Sequence, residues 1–155
     1  MSLDILFIHP NASKKIYQGL SNDHSAIEPP IWAGMLANHC RNKNFSVKIL
    51  DCEVEKLDYI SSVQEIIKIK PRIACFVVYG QQPSASSQNM EGAIATSEEL
   101  KLSDPEIKIL FVGGHVSALP KVTLTTEKSI DFIALNEGVY AISNLLKVEN
   151  LNEET

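Results

Sequence analysis

Five apolar runs, LDILFIH, FSVKILD, RIACFVVYG, IKILFVGG and IDFIALNEG, recur along the chain, each closed by a polar or glycine cluster. Rich in Ile, Val and Phe, and nearly continuous rather than alternating, they read as strands buried on both faces. The intervening stretches change to helical spacing: Ile31, Met35, Leu36 and Cys40 share one face, then Leu57, Ile60, Val63 and Ile67, then Met90, Ala93, Ile94 and Leu100. Pro30 suits a first helical turn, while Pro71 and Pro105 mark helix ends. A strand followed by a helix, five times over, admits few folds. The pattern predicts an α/β, doubly wound, five-stranded parallel sheet with helices on both faces and right-handed crossovers.

The length of 155 residues suits one domain, which buries roughly 70% of its unfolded surface. A net charge of -5 with no basic patch argues against nucleic acid as the main partner. The longest apolar runs fall far short of the ~20 residues of a membrane span, and the amino end lacks a secretory pattern, so the chain reads as cytoplasmic. Cys40, Cys52 and Cys75 are odd in number and form no C-x-x-C motif; they are expected as reduced core thiols rather than metal ligands. The polar end from 149 to 155 reads as a solvated tail or the start of a linker, leaving 1–148 as the domain.

Ligands of doubly wound sheets bind at the carboxyl ends of the strands, beside the point where strand order reverses. Those ends read HPN (His9, Pro10, Asn11), DCE, YGQQPSASSQ (from Tyr79 and Gly80), GGHVSALP and NEG. Residues 12–28 make an unusually long strand-to-helix link of the kind that serves as a binding loop or lid. Gly113 and Gly114 let a planar group approach the backbone, and serve a plain turn equally well. They are not a dinucleotide fingerprint, which belongs after the first strand, and no Walker lysine follows a glycine loop. Ser84, Ser86 and Ser87, beside Gln81, Gln82 and Gln88, suit a neutral ligand with amide arms. Ser86 or Ser87 also suits the cap of a helix starting near Gln88. His9, His24 and His115 fall on the expected ligand side, His39 on a helix, and Glu137 at a position suited to capping the last helix. No G-x-S-x-G elbow or paired catalytic carboxylates are present.

With these pieces on one sheet edge, the chain resembles the cobalamin-binding domain of B12-dependent radical S-adenosylmethionine enzymes. PPIWAGMLA, KILD, VGGHVSALPKVTL and DFIALNEG carry the resemblance, most specifically G-G-x-x-S-x-x-P-x-x-x-L from Gly113 to Leu124, ahead of Asp131, Glu137 and Gly138. The resemblance implies a flavodoxin-like, Rossmann-like sheet of order 2-1-3-4-5, with the corrin over the strand ends and its nucleotide tail between sheet and helices. It implies that Gly113 and Gly114 make room for that tail, and that His115, Ser117, Ala118, Leu119 and Pro120 line its mouth. Ser84, Ser86, Ser87 and Gln88 would contact the tail or the amide arms. His9, Pro10, Asn11, Tyr79, Gly80 and Gln81 would lie at the strand ends, with Asn136, Glu137 and Gly138 closing the far side.

Two departures bear on function. Many cobalamin modules present a histidine to cobalt within D-x-H-x-x-G; here Phe7 and Ala12 flank His9, and Asn22 and Ile27 flank His24, so the expectation is that no histidine replaces the cofactor's own base. The radical family's cluster motif C-x-x-x-C-x-x-C is absent from this sequence, so the chain is either a free-standing cobalamin module or, as expected here, the excised amino-terminal domain of an enzyme whose catalysis comes from a radical S-adenosylmethionine domain in cis, carrying a 4Fe-4S cluster and S-adenosylmethionine. Methylation of an unreactive carbon is the reaction the resemblance suggests for the parent enzyme. The rival class is a flavin-binding, signalling or interaction module; HPN and YGQQ lack a receiver's acidic cluster and phosphorylatable aspartate.

Overall fold

The computed structural model describes residues 3–11, 29–80 and 83–152, without the side chains of Pro83 and Ser84. The expected binding loop at 12–28 with His24, and Gln81 and Gln82, lie outside the described residues. Strands and helices alternate in the expected order: β1 (Leu3–His9), α1 (Ile31–Arg41), β2 (Val47–Asp51), α2 (Tyr59–Ile69), β3 (Pro71–Val77), α3 (Pro83–Ser103) and β4 (Lys108–Val112). Then come α4 (Gly114–Ala118), α5 (Pro120–Thr126), β5 (Phe132–Ala134) and α6 (Val139–Leu145). All neighbouring strands are parallel, in the order β2-β1-β3-β4-β5. The expected single helix between β4 and β5 is two short ones. Pro120 disfavours helical angles at Leu119, which sits at φ -128° and ψ 48°, and the chain turns there.

Alternation along the strands sorts the core into two layers. Leu6, Ile8, Ala74, Phe76, Ile109 and Phe111 pack with Val63 and Ile66 of α2 and Met90, Ala93 and Leu100 of α3. Ile5, Phe7, Ile73, Cys75, Val77 and Leu110 pack against Leu36 and Cys40 of α1 and Ile142 of α6. Phe76 and Phe111 stack across the strand pair at 5.0 Å. Because both layers need apolar side chains, the strands carry unbroken apolar sequence, each large buried chain contributing ~1.5–3 kcal/mol.

Helix faces depart from the expected ones in two places. Ile31 and Met35 point to solvent at 63% and 58% exposure, while Ala33, Leu36, Ala37 and Cys40 form the buried stripe of α1. Small Ala33 and Ala37 let α1 lie close on β1, so they rather than the larger residues face inward. Ile60 is likewise exposed, with Val63 and Ile66 turned in. Asp58 starts α2 through a capping box, accepting from the Ser61 N–H at 2.9 Å while the Ser61 hydroxyl accepts the Asp58 N–H. The three cysteines are buried and free; burial pushes the Cys40 and Cys52 thiols up to about 11 and the Cys75 thiol well above its ordinary value.

The polar end is partly tied down. Arg72 donates to the carbonyls of Leu146, at 3.1 Å, and Val148, and Leu151 packs on the second core layer. Asp131 anchors β5: its Oδ2 accepts the Ile109 N–H at 2.7 Å and pairs with Lys101 at 2.8 Å. No helix of the described residues is long and apolar enough to cross a membrane.

Candidate functional site

Strand order reverses between β1 and β3, and their carboxyl ends flank a cavity of ≈ 350 Å³. His9, Pro30, Trp32, Val77, Tyr79 and Gly80 line it. Trp32, in the first turn of α1, stacks on Tyr79 with centroids 4.4 Å apart and planes 21° apart. The Tyr79 hydroxyl donates to the Asn136 carbonyl, and Asn89 holds the Tyr79 carbonyl at 2.9 Å. These bonds fix the ring from both ends. Burial, and then the charge of Glu137, push the Tyr79 hydroxyl above its ordinary value, so it stays a hydrogen-bond donor at neutral pH.

His9 lines this cavity from the β1 end. It is the last residue of β1 and pairs in register with Asp51, the last residue of β2. Its Nδ1 lies 3.1 Å from Asp51 Oδ1, which also accepts the Val54 N–H at 3.2 Å. Among the described residues its Nε2 has no protein partner. Pro10 is buried beside it, and Asn11 donates to the Leu57 carbonyl at 3.0 Å, toward the β2 side of the sheet edge.

A groove of ≈ 460 Å³ lies between α3 and the α4–α5 pair. Ser87, Gln88, Met90, His115, Val122 and Thr123 line it. The Ser87 hydroxyl and His115 Nδ1 meet at 2.9 Å across its rim. Glu91 and Glu127 give the lower part an acidic character.

Of the glycine pair, Gly113 follows β4 and Gly114 opens α4. A Cβ at Gly113 would lie 2.4 Å from the Val78 carbonyl oxygen and 2.7 Å from Val78 Cγ2, so the space it leaves is filled by Val78. A Cβ at Gly114 would touch Ser86 at an ordinary 3.5 Å. Ser86 does not cap a helix starting near Gln88. The helix begins at Pro83, and Ser86, buried within it, donates to the Val78 carbonyl while its oxygen accepts the His115 N–H at 3.0 Å. One hydroxyl thus ties β3, α3 and α4 together. Glu137 does not cap the last helix either. Gly138 occupies that cap with φ at 71°, a left-handed angle glycine tolerates, and both Asn136 and Glu137 are exposed.

The structure therefore brings His9, Tyr79 and Gly80 to one cavity, and Ser87, Gln88 and His115 to one groove. Ser117, Ala118, Leu119 and Pro120 form the turn from α4 to α5; the Ser117 hydroxyl is buried without a hydrogen-bond partner among the described residues. The side chain of Ser84, and Gln81, lie outside the described residues. Two site residues escape a reading of the sequence alone. Trp32 stands within PPIWAGMLA but reads as helix core, and Asp51 closes KILD but gains meaning only from its cross-strand pairing. His39 lies on α1, edge-on to Tyr140 at 5.8 Å, away from both spaces. No group of three or more metal-ligating side chains occurs among the described residues.

These residues fit a corrin cofactor. The Trp32–Tyr79 pair and His9 wall the switch-point cavity, and Ser87, Gln88 and His115 give the groove uncharged hydrogen-bonding groups beside Glu91 and Glu127.

Comparison with known proteins agrees. The radical S-adenosylmethionine methyltransferase TsrM from Kitasatospora setae, solved with tryptophan substrate and an S-adenosylmethionine analogue, superposes with a TM-score of 0.69 at 13% identity, over 94% of this chain and 25% of its own. The same enzyme with cobalamin and a [4Fe-4S] cluster bound superposes at 0.69 and 14% identity, over 94% and 26%. The chain thus spans about a quarter of that methyltransferase's length. No curated protein matches. The family model of the B12 binding domain matches residues 23–146, and with that match the chain belongs to the B12-binding domain family.

Proposed function

We propose that this domain holds cobalamin with the corrin over the β1 and β3 ends, against His9, Trp32, Tyr79 and Gly80, and the nucleotide tail along the groove of Ser87, Gln88 and His115. The observation that carries this reading is the cavity at the switch point of the sheet, where His9 at the β1 end and Val77, Tyr79 and Gly80 at the β3 end meet Trp32 of α1. The glycine pair supports the site from below. By letting β4 close on Val78 it allows Ser86 to fix the α3 and α4 starts, which sets the width of the groove. Asn136, Glu137, Gly138 and the Ser117–Pro120 turn would form the outer rim, with Pro10 and Asn11 behind His9.

When bound, cobalamin supplies a cobalt centre able to carry and transfer a methyl group. This chain's residues orient it: Trp32 and Tyr79 give a flat apolar wall, and Ser87, Gln88 and His115 offer uncharged hydrogen bonds. None of them is assigned a catalytic step. In our reading the parent is a radical S-adenosylmethionine enzyme, with the 4Fe-4S cluster and S-adenosylmethionine on a domain in cis and methyl transfer to an unreactive carbon as its reaction. The fold likeness to TsrM supports this.

The test is to mix the purified protein with hydroxocobalamin or flavin mononucleotide, desalt it, and record the absorption spectrum. Retained corrin bands are expected. Retained flavin without corrin overturns the reading. A reading frame that runs on into a C-x-x-x-C-x-x-C segment is expected for the parent; one lacking it removes the radical assignment while leaving cobalamin binding.

A further inference from the structure

We propose, independently of the cobalamin reading, that the outer face of α1 and α6 docks a second copy of this chain across a two-fold axis. The starting point is a gap in the charge pattern. Of all residues in the chain 21% are charged, yet Pro29 to Cys40 and Gly138 to Leu146 contain no Asp, Glu, Lys or Arg. These stretches hold α1 and α6, which pack on the same layer of the core. On the opposite layer α2 carries Glu65 and Lys68, and α3 carries Glu91, Glu98, Glu99 and Lys101.

Burial of the inward side explains only part of the gap. Ile31, Met35 and Tyr140 point to solvent at 63%, 58% and 75% exposure, and Asn38 and Ala141 are exposed as well. Ile31, Met35 and Asn38, spaced by four and then three, form one outward stripe of α1. His39 meets Tyr140 edge-on at 5.8 Å, which sets α6 beside that stripe. Outward helix positions left to water are ordinarily charged or polar. Apolar and aromatic groups without charge are instead the composition of an interface core.

The charge distribution selects the occupant. Each copy carries a net charge of -5, so two copies repel least where neither face is charged. An uncharged apolar face gives a strongly charged partner no grip, but it matches itself. α1 and α6 each follow a strand of one parallel sheet and so run in the same direction, with Glu137 just before the start of α6, Arg41 ending α1 and Lys147 just past α6. A two-fold axis perpendicular to the face sets each helix antiparallel to its counterpart. The acidic end of one copy then meets the basic end of the other. The two helices present about 16 by 20 Å, less than the ~800 Å² that each partner gives to a standard interface. The pair is therefore expected to be weak, with a dissociation constant of about 10–100 μM.

Sedimentation equilibrium of the purified chain across the micromolar range tests this. A monomer–dimer equilibrium is expected, weakened at least about tenfold by Met35→Glu or Tyr140→Glu, since either places like charges on the shared face of both copies. Ile60→Glu, at a position 49% exposed on α2, is the control and is expected to leave the equilibrium unchanged. Circular dichroism confirms that each variant is folded. Hydrogen exchange of the unmodified chain gives a reading free of variants: peptides from α1 and α6 are expected to gain protection as concentration rises, and those from α2 are not. A chain that stays monomeric overturns the proposal. So does a dimer that both glutamate variants leave intact, or one that Ile60→Glu disrupts equally. Protection of α1 and α6 only within a longer reading frame, with this chain monomeric, assigns the face to another domain of the same polypeptide and overturns the proposal as well.

Discussion

Replacing Gly113 with alanine isolates what the glycine pair does. At φ 161° and ψ 173° the backbone is extended and open to any residue, so the cost is steric alone. The new Cβ would meet the Val78 oxygen at 2.4 Å, Cγ2 at 2.7 Å and the carbonyl carbon at 2.8 Å, against ~3.5–4.0 Å for relaxed carbon contacts. Val78 cannot simply retreat. Its N–H donates to the Val112 carbonyl at 2.8 Å and its oxygen accepts from Ser86. Overpacking of this kind costs about 1–3 kcal/mol, and disturbing one of those bonds adds about 1 kcal/mol. A loss of roughly 3 kcal/mol lowers the melting temperature of a domain this size by about 6–12 °C. Gly114→Ala is the control, since its Cβ finds only ordinary contact with Ser86 and should change stability by less than about 1 kcal/mol. Circular dichroism melts of both variants without cofactor read this directly. A Gly113→Ala protein that melts with the unmodified one, yet fails to retain cobalamin, refutes the packing argument and returns the glycine to the ligand.

Asp131→Ala leaves the Ile109 N–H and Lys101 without their shared partner and is expected to cost about 2–3 kcal/mol in urea unfolding, with cobalamin retention unchanged once folded. The raised thiols make stability fall as pH rises. The folded chain keeps protons that the unfolded chain releases above 9, so Cys40 and Cys52 each withdraw about 1.4 kcal/mol per pH unit between 9 and about 11. Urea midpoints should decline over that window, and less steeply in Cys52→Ala; a flat profile contradicts the assignment. Trp32 is the chain's single tryptophan and lines the cavity, so its emission is expected to be quenched on titration with hydroxocobalamin; unchanged emission in a protein that retains corrin places the cofactor elsewhere.

The sheet is legible in the sequence because its five strands are buried on both faces, and short unbroken apolar runs that alternate with helical spacing are compatible with few folds besides a covered parallel sheet. Helix faces are less so. In α1 the inward stripe is built on Ala33 and Ala37, whose small size lets the helix approach the sheet, whereas a reading that ranks residues by hydrophobicity chooses Ile31 and Met35. Ser86 and Glu137 read as caps from local position. Their contacts are set at long range: Ser86 bonds a carbonyl at the end of β3 and an amide in α4, and Gly138 takes the cap beside Glu137 by its backbone angle.

The same distinction separates what the sequence could suggest about the site from what only the fold assembles. Ser87, Gln88 and His115 are visible because polar residues gather at strand ends. The His9–Asp51 and Trp32–Tyr79 pairs are not, because each joins segments that parallel strands and their crossovers bring together. A parallel sheet makes this the rule. Adjacent strands need a crossover between them, so partners at the carboxyl edge are separated by tens of residues, and any motif defined by a short spacing passes over them. In this chain the absence of D-x-H-x-x-G does not exclude an oriented imidazole at the switch point, because β2 delivers the carboxylate that the loop after β1 lacks. Swapping the two, His9→Asp with Asp51→His, keeps the cross-strand pair and is expected to cost less stability than the two alanine replacements summed, read from urea midpoints; a swap that costs as much as that sum contradicts a pairing role.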